Sequence, residues 1–159
     1  MYNFNMEQFF VENSEIILRL IVATGLGLII GVERLLVKEA AGMKTHALVS
    51  MGSAVFVLIS EAVVQKYMNV PGLNPTMMAA QIIVGIGFLG AGSIILQGSR
   101  LVGLTTAGGL WVTAGIGMAA GFGLFNLALV AALLVLFVFI VISVVERPIR
   151  KISGEDNQS

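Results

Sequence analysis

Five long apolar runs, separated by short connections, follow one another along this chain. Each run has roughly the 20 residues that a helix needs to cross a bilayer, and together they cover residues 16–34, 46–65, 77–97, 104–122 and 126–146. Pro71, Gly72 and Pro75 predict a turn between the second and third runs, and the segment GFGLFN predicts a tight hairpin before the fifth. The pattern therefore predicts an all-α integral membrane protein, a bundle of about five transmembrane helices.

The composition supports a membrane protein and limits what else the chain contains. Of 159 residues, 57% are hydrophobic and 11% charged, and the mean hydropathy is +0.97, values outside the range of soluble domains. The sequence has no cysteine, which excludes disulfides and thiolate sites. Glu7, Glu12 and Glu15 precede the first run without any basic residue. Because signal peptides begin with a basic stretch, we expect the first run to stay in the mature protein.

The basic residues predict the orientation of the bundle, because cytoplasmic loops of membrane proteins collect Lys and Arg. With the N-terminus outside, only Arg19 and Lys66 lie near the outer face. Seven of the nine basic residues then fall on the inner side: Arg34, Lys38, Lys44, Arg100, Arg147, Arg150 and Lys151. We therefore expect residues 1–15 to form an external tail, residues 16–146 the five-helix membrane domain and residues 147–159 a short cytoplasmic tail.

Small residues recur at four-residue spacing in several runs and are dense in the segment GIGFLGAGS, residues 85–93. Helices in lipid associate where small residues let their backbones approach. We expect the first, third and fourth runs at the centre of the bundle and the bulky fifth run toward lipid. A ligand site at the inner end of GIGFLGAGS, next to Ser93, is the alternative interpretation. The glycines predicted to lie at helix contacts are Gly27, Gly31, Gly85, Gly87, Gly90, Gly92, Gly109, Gly117 and Gly121.

Polar side chains within the runs need a partner or a function, because they are costly in lipid. Under the predicted orientation they fall into two groups. The outer group comprises Arg19, Glu61 and Gln81. The inner group is a candidate functional cluster that comprises Glu33, Arg34, Lys44, Thr45, His46, Ser50, Ser93, Arg100, Thr105 and Thr106.

The charged members of both groups also have a structural interpretation. Glu33 is expected to form a salt bridge at the cytoplasmic mouth of the bundle, with Arg34, Lys44 or Arg100 as its partner. Arg19 is expected to reach the outer interface or to pair with a carboxylate, either Glu15 or Glu61.

The uncharged members have structural interpretations as well. Thr105 or Thr106 is expected to cap the N-terminus of the fourth helix. His46 is the single histidine of the chain and has no nearby carboxylate in the sequence. This context favours a hydrogen-bonding role over a metal-ligand role.

No enzyme motif accompanies these residues. The chain has neither HExxH nor a phosphate-binding loop, and GIGFLG does not lie between a strand and a helix as a dinucleotide fingerprint does. We therefore expect no catalytic residue, no resident cofactor or metal and no nucleic-acid partner.

Four ordered motifs resemble the N-terminal membrane domain of the MgtC/SapB family: GLIIGVER, AGMKTHALVSMGSA, AAQIIVGIGFLGAGSII and GLTTAGGLWVTAGIGMAAGFG. The resemblance runs from about Arg19 to Gly123. It implies a multi-pass protein of the bacterial inner membrane with about five spans, from a family linked to magnesium limitation and survival inside host cells. The best-studied virulence members are reported to restrain the F-type ATP synthase.

The chain departs from the virulence-type motifs at two positions, Thr105 and Val112, and has Lys44 where the family usually has arginine. These departures resemble the SapB-like branch of the family. Longer members carry a soluble C-terminal domain, which we expect this chain to lack.

Two functional hypotheses follow. The first is a non-catalytic membrane module, a homo-oligomer with a dimer favoured, that contacts the lipid bilayer and a membrane protein partner. The second is a transporter or channel for magnesium or another small ion. Magnesium prefers oxygen ligands, and apart from Glu146 at the very end of the fifth run, the runs offer only Glu33 and Glu61 as carboxylates. A third interpretation is that the inner cluster binds an anion, such as a lipid headgroup or phosphate.

Overall fold

A computed structural model describes residues 6–67 and 74–145, which form helices and one short hairpin. Predictions that involve Pro71, Gly72, Arg147, Arg150 and Lys151 lie outside these residues. The elements are α1 (Met6–Glu12), α2 (Ser14–Leu36), α3 (Met43–Lys66), α4 (Pro75–Gly92), β1 (Ile95–Gln97), β2 (Arg100–Val102), α5 (Leu104–Gly121) and α6 (Phe125–Phe137), which a π-helical turn at Val138–Ile142 continues.

Three of the described helices are long and apolar enough to cross a membrane: Ser14–Leu36, Met43–Lys66 and Phe125–Val145. They correspond to the first, second and fifth predicted runs. The segment Thr76–Gly92 is a shorter apolar helix. Helix α5 has 18 residues and is rich in glycine and threonine. The chain is therefore a helical membrane protein with at least three candidate spans.

The third run ends earlier than predicted, because the helix expected to reach residue 97 stops at Gly92. The Ser93 hydroxyl donates to the carbonyl of Gly90 (2.7 Å), and the chain then turns into an antiparallel hairpin. Gly98 in its two-residue turn has φ of 61°, the left-handed conformation that glycine accepts readily. The hairpin places Arg100 on an exposed strand, outside the helical bundle.

The N-terminus of α5 also differs from the prediction that Thr105 or Thr106 caps it. Gly103 is the N-cap residue, with φ of 93°, and no side chain provides a cap hydrogen bond. A Cβ at Gly103 would collide with the carbonyl of Ser93. The close return of the hairpin to the end of α4 therefore decides where α5 begins.

The centre of the bundle is formed by α2, α3 and α5, with α6 packed against α2 and α5. The prediction that the third run is central is therefore wrong, since α4 lies at the side, against α3 and α5. The second run is central instead. Its buried residues are mostly small or polar: His46, Ala47, Ser50, Ser53, Ala54, Val57 and Ser60.

Five of the predicted packing glycines lie where helices approach closely. A Cβ on Gly27 would lie 2.6 Å from the carbonyl oxygen of His46, and one on Gly31 would lie 2.5 Å from the Cα of Met43. A Cβ on Gly117 would collide with the backbone carbonyl of Ser50. Gly121 faces Ala54 and Val57 in α3, and Gly109 faces Phe139 and His46.

The glycines of GIGFLGAGS behave differently from the prediction. Gly85, Gly87 and Gly92 have no atom of a neighbouring element within 4 Å of a Cβ position, and Gly90 has only ordinary contacts with Ala107. These glycines do not hold α4 tightly against the bundle. Helix α4 packs against small side chains of α5 and does not insert between two helices.

We expect Gly117→Ala to destabilise the bundle by about 1–3 kcal/mol, because the added methyl group forces α5 away from the α3 backbone. Gly115→Ala is the matched control, since it lies in the same helix and has open space around a Cβ position. Thermal unfolding in a mild detergent, followed by circular dichroism, measures both. Equal melting temperatures for the two variants would contradict the close approach.

Candidate functional site

Arg34 is the centre of a buried ion-pair cluster at the C-terminal end of α2. Its side chain is only 3% exposed. Its Nε atom donates to Oε2 of Glu33, and its Nη1 atom lies 3.9 Å from Oε1 of Glu39. A buried charge needs such partners, because removing it from water is costly.

The turn after α2 brings Glu39 back to Arg34. The N–H of Glu39 donates to the carbonyl of Arg34 (2.9 Å) and the N–H of Lys38 donates to that of Leu35 (3.1 Å). These are the two bonds of a Schellman motif, with Lys38 at the left-handed position (φ 61°) that glycine usually occupies. The helix end therefore positions the second carboxylate of the cluster.

Two further elements complete this cluster. The Thr106 hydroxyl of α5 donates to Oε2 of Glu39 at 2.6 Å. The guanidinium carbon of Arg34 lies 3.6 Å from the ring centroid of Phe139, a cation–π contact. We call these five residues, Arg34, Glu33, Glu39, Thr106 and Phe139, the Arg34 cluster. One arginine meets two glutamates in it, so the cluster carries one excess negative charge.

His46 lies buried between α3 and α5 and forms a hydrogen bond rather than joining a ligand set. Its Nδ1 atom lies 2.8 Å from Oγ1 of Thr113, whose hydroxyl donates to the carbonyl of Gly109 (2.8 Å). The Nε2 atom of His46 is buried and has no hydrogen-bond partner among the described residues, like Oγ of Ser50 and Nη2 of Arg34.

A second arginine, Arg19, lies at the opposite end of the bundle, near the start of α2. Arg19 forms ion pairs with Glu15 and with Oε2 of Glu61 (2.6 Å), so both predicted alternatives are present. Its Nη1 atom also donates to the carbonyl of Gly121 at 2.8 Å. One side chain therefore joins α2 to α3 and binds a carbonyl left free at the C-terminus of α5.

The predicted inner group does not form one cluster in the structure. Glu33, Arg34 and Thr106 meet in the Arg34 cluster, and His46 and Ser50 are buried nearby in α3. Lys44, Thr45, Arg100 and Thr105 are exposed, and the Ser93 hydroxyl bonds within its own helix end. Gln81 is exposed on α4, away from the other predicted outer residues. The separation arises because α4 and the hairpin lie at the side of the bundle.

Sequence reasoning missed three contributors to these sites. Glu39 lies only five residues after Arg34, but the sequence has no glycine at Lys38 to indicate the left-handed helix end that brings it back. Thr113 lies in the small-residue ladder of α5 and gave no separate polar signal. Phe139 had no signal, because its contact with Arg34 depends on how α6 and its π-helical turn lie against α2.

No group of three or more His, Asp or Glu side chains converges as a metal site within residues 6–67 and 74–145. The carboxylates inside the described bundle, Glu33, Glu39 and Glu61, all contact an arginine. The two arginine sites join helices. Each of these three carboxylates of the described bundle has a cationic partner.

Comparison with known proteins gives the family. Residues 20–148 match the MgtC family. The putative magnesium transporter YhiD of Escherichia coli K12 is 44% identical over 131 residues, which cover 79% of this chain and 61% of that protein. Protein MgtC of Salmonella typhimurium LT2 is 46% identical over 120 residues, which cover 76% of this chain and 49% of that protein.

The chain thus spans about half to three-fifths of the length of these curated relatives. No solved structure matches it. The family match runs from α2 to beyond the π-helical turn after α6 and includes the Arg34 cluster, and it begins one residue after Arg19. The family match extends over most of the sequence, and relatives at 44% and 46% identity support it. This chain therefore belongs to the MgtC family.

Proposed function

We propose that this chain is a non-catalytic module of the bacterial inner membrane, which acts through membrane protein partners during adaptation to magnesium limitation or stress. The observation that carries this proposal is that the carboxylates of the bundle contact arginines. Glu33 and Glu39 contact Arg34, and Glu61 contacts Arg19. Carboxylates engaged in this way hold helices together and are poorly placed to act as general bases or cation ligands.

In this proposal the chain crosses the membrane about five times, with the N-terminus outside and the C-terminus in the cytoplasm. Helix α5 has 18 residues, about 27 Å at 1.5 Å per residue, close to the roughly 30 Å of a hydrocarbon core. Neighbouring helices bury many residues of α5, so its glycine and threonine content is compatible with crossing. The basic residues Lys38 and Arg100 flank spans on the same proposed side, as cytoplasmic positions do.

Cysteine labelling separates five spans from three, because the chain has no cysteine of its own. Gln8→Cys should react with a membrane-impermeant maleimide on intact spheroplasts. Ser99→Cys, in the hairpin between α4 and α5, should react only after permeabilisation. If α4 and α5 re-enter instead of crossing, Ser99→Cys reacts on intact spheroplasts, and that result would contradict five spans.

The module is proposed to be a homo-oligomer, with a dimer favoured. Gly87 and Gly92 on α4 and Gly108 and Gly115 on α5 have open space around them. Such small residues support close packing against another helix in lipid.

Native mass spectrometry of the full chain in a mild detergent should therefore show a dimer. Gly87→Leu should shift it to monomer, because the added side chain keeps a second helix away. Gly25→Leu is the control, since Gly25 also has open space but lies on α2. A single monomeric species from the unmodified chain would contradict the oligomer.

Transport of magnesium or another small ion is the alternative function. Two observations favour it: the name of the relative YhiD, a putative magnesium transporter, and the excess negative charge of the Arg34 cluster. A hydrated cation approaching Glu39, which is 31% exposed, would meet this charge.

Magnesium uptake into proteoliposomes that contain a magnesium-sensitive dye decides between the two functions. The module predicts uptake equal to that of protein-free liposomes at every gradient. Saturable uptake that Glu39→Gln abolishes and the exposed Glu12→Gln leaves intact would overturn the module and establish transport.

A further inference from the structure

An apolar groove opens between α3 and α4. It has a volume of about 630 Å³. Its walls include Leu48 and Phe56 from α3 and Ile82, Ile86 and Leu89 from α4. Gly52 and Gly85 also line it and have open space around them, so the groove is widened where one glycine of each helix lacks a side chain.

The dimensions of the groove suit one hydrocarbon chain. Along α3 its lining extends from Lys44 to Phe56, which are about 18 Å apart at the helical rise of 1.5 Å per residue. One leaflet of the hydrocarbon core is about 15 Å deep, half of roughly 30 Å. The groove therefore extends from one end of the helix to about the middle of a bilayer.

A positive charge lies at the end of this groove. Lys44 is exposed, and no described carboxylate forms an ion pair with it. The hydroxyl of Thr45 is next to it, and the residues that line the groove include no Asp or Glu. Lys44 differs from Arg34 in burial and in ion pairing. Arg34 is buried and paired with carboxylates, whereas Lys44 is exposed at the end of an apolar groove.

We propose that this groove binds an anionic phospholipid, with an acyl chain between α3 and α4 and the phosphate at Lys44 and Thr45. Charge complementarity selects this occupant: a lysine near a membrane surface attracts anionic lipid, and the apolar walls fit a hydrocarbon tail. The proposal goes beyond the module function and does not depend on it. A second copy of the chain is the competing occupant, with the exposed amide of Gln81 forming hydrogen bonds across the contact.

Native mass spectrometry tests the proposal on the full chain in a mild detergent, titrated with palmitoyl-oleoyl phosphatidylglycerol or with the matching phosphatidylcholine. The first phosphatidylglycerol should bind about fivefold more tightly than phosphatidylcholine, the effect of one lysine near the headgroup. Lys44→Gln should remove this preference. Lys38→Gln should keep it, because Lys38 is exposed but does not line the groove.

The groove itself is tested by Gly85→Leu, which fills it. Affinity for both lipids should fall about tenfold, because the added side chain displaces methylene groups from the apolar walls. Gly25→Leu, on α2 and outside the lining, also adds a side chain in open space and should leave lipid binding unchanged. Circular dichroism and the gel-filtration profile show whether each variant remains folded.

Three results would overturn the proposal. One is an equal affinity of the unmodified chain for the two lipids, and another is a phosphatidylglycerol preference that survives Lys44→Gln. The third is a dimer that Gly85→Leu converts to monomer, which would identify a second copy as the occupant. A loss of dimer with Gly87→Leu alone concerns the oligomer and leaves the lipid site intact.

Discussion

The close approach of α2, α3 and α5 is the constraint on which the rest of this structure depends. Lipid tails are as apolar as leucine, so burial of apolar surface does not bring helices together inside a membrane. The contact comes instead from backbone against backbone, at Gly27 and Gly31 in α2 and at Gly117 and Gly121 in α5. Helix α3 lies between these glycines and presents mostly small and hydroxyl side chains.

This tight centre explains why charged groups occur only at its ends. Arg19 and Arg34 lie near the two ends of α2, and each contacts two carboxylates. A buried arginine without them would carry a large desolvation cost. The arginine sites also connect elements that the glycines do not reach, because Arg34 contacts Phe139 near the end of the chain and Arg19 binds the last carbonyl of α5.

The same architecture divides the molecule into a closely packed part and an open side. Helices α2, α3 and α5 approach one another closely at their glycines, whereas α4 lies against α3 and α5 without such close approaches and leaves the groove beside α3 open. A protein that acts on partners or lipids needs such an accessible surface. In this chain the open surface lies on α4 and the outward face of α3, away from the buried ion pairs.

Much of the architecture follows from the sequence alone. Local hydropathy and composition are enough to predict the helical membrane class, the positions of α2, α3 and α6 and the family motifs. A short stretch of sequence shows these properties without any knowledge of the fold. The partners of Glu33 and Arg19 could also be predicted from the sequence. Buried charges in lipid require opposite charges, and the chain offers few of them.

Other features were decided only by tertiary structure. Whether Gly85 or Gly117 packs against another helix depends on which face of its helix meets a neighbour, and both look alike in sequence. The first strand of the hairpin, residues 95–97, replaces the predicted end of the third helix, because Gly103 lets the chain pass close to Ser93. Phe139 contacts Arg34 across more than 100 residues of sequence. A buried charge demands partners, but only the packing of α2, α5 and α6 determines which side chains can reach it.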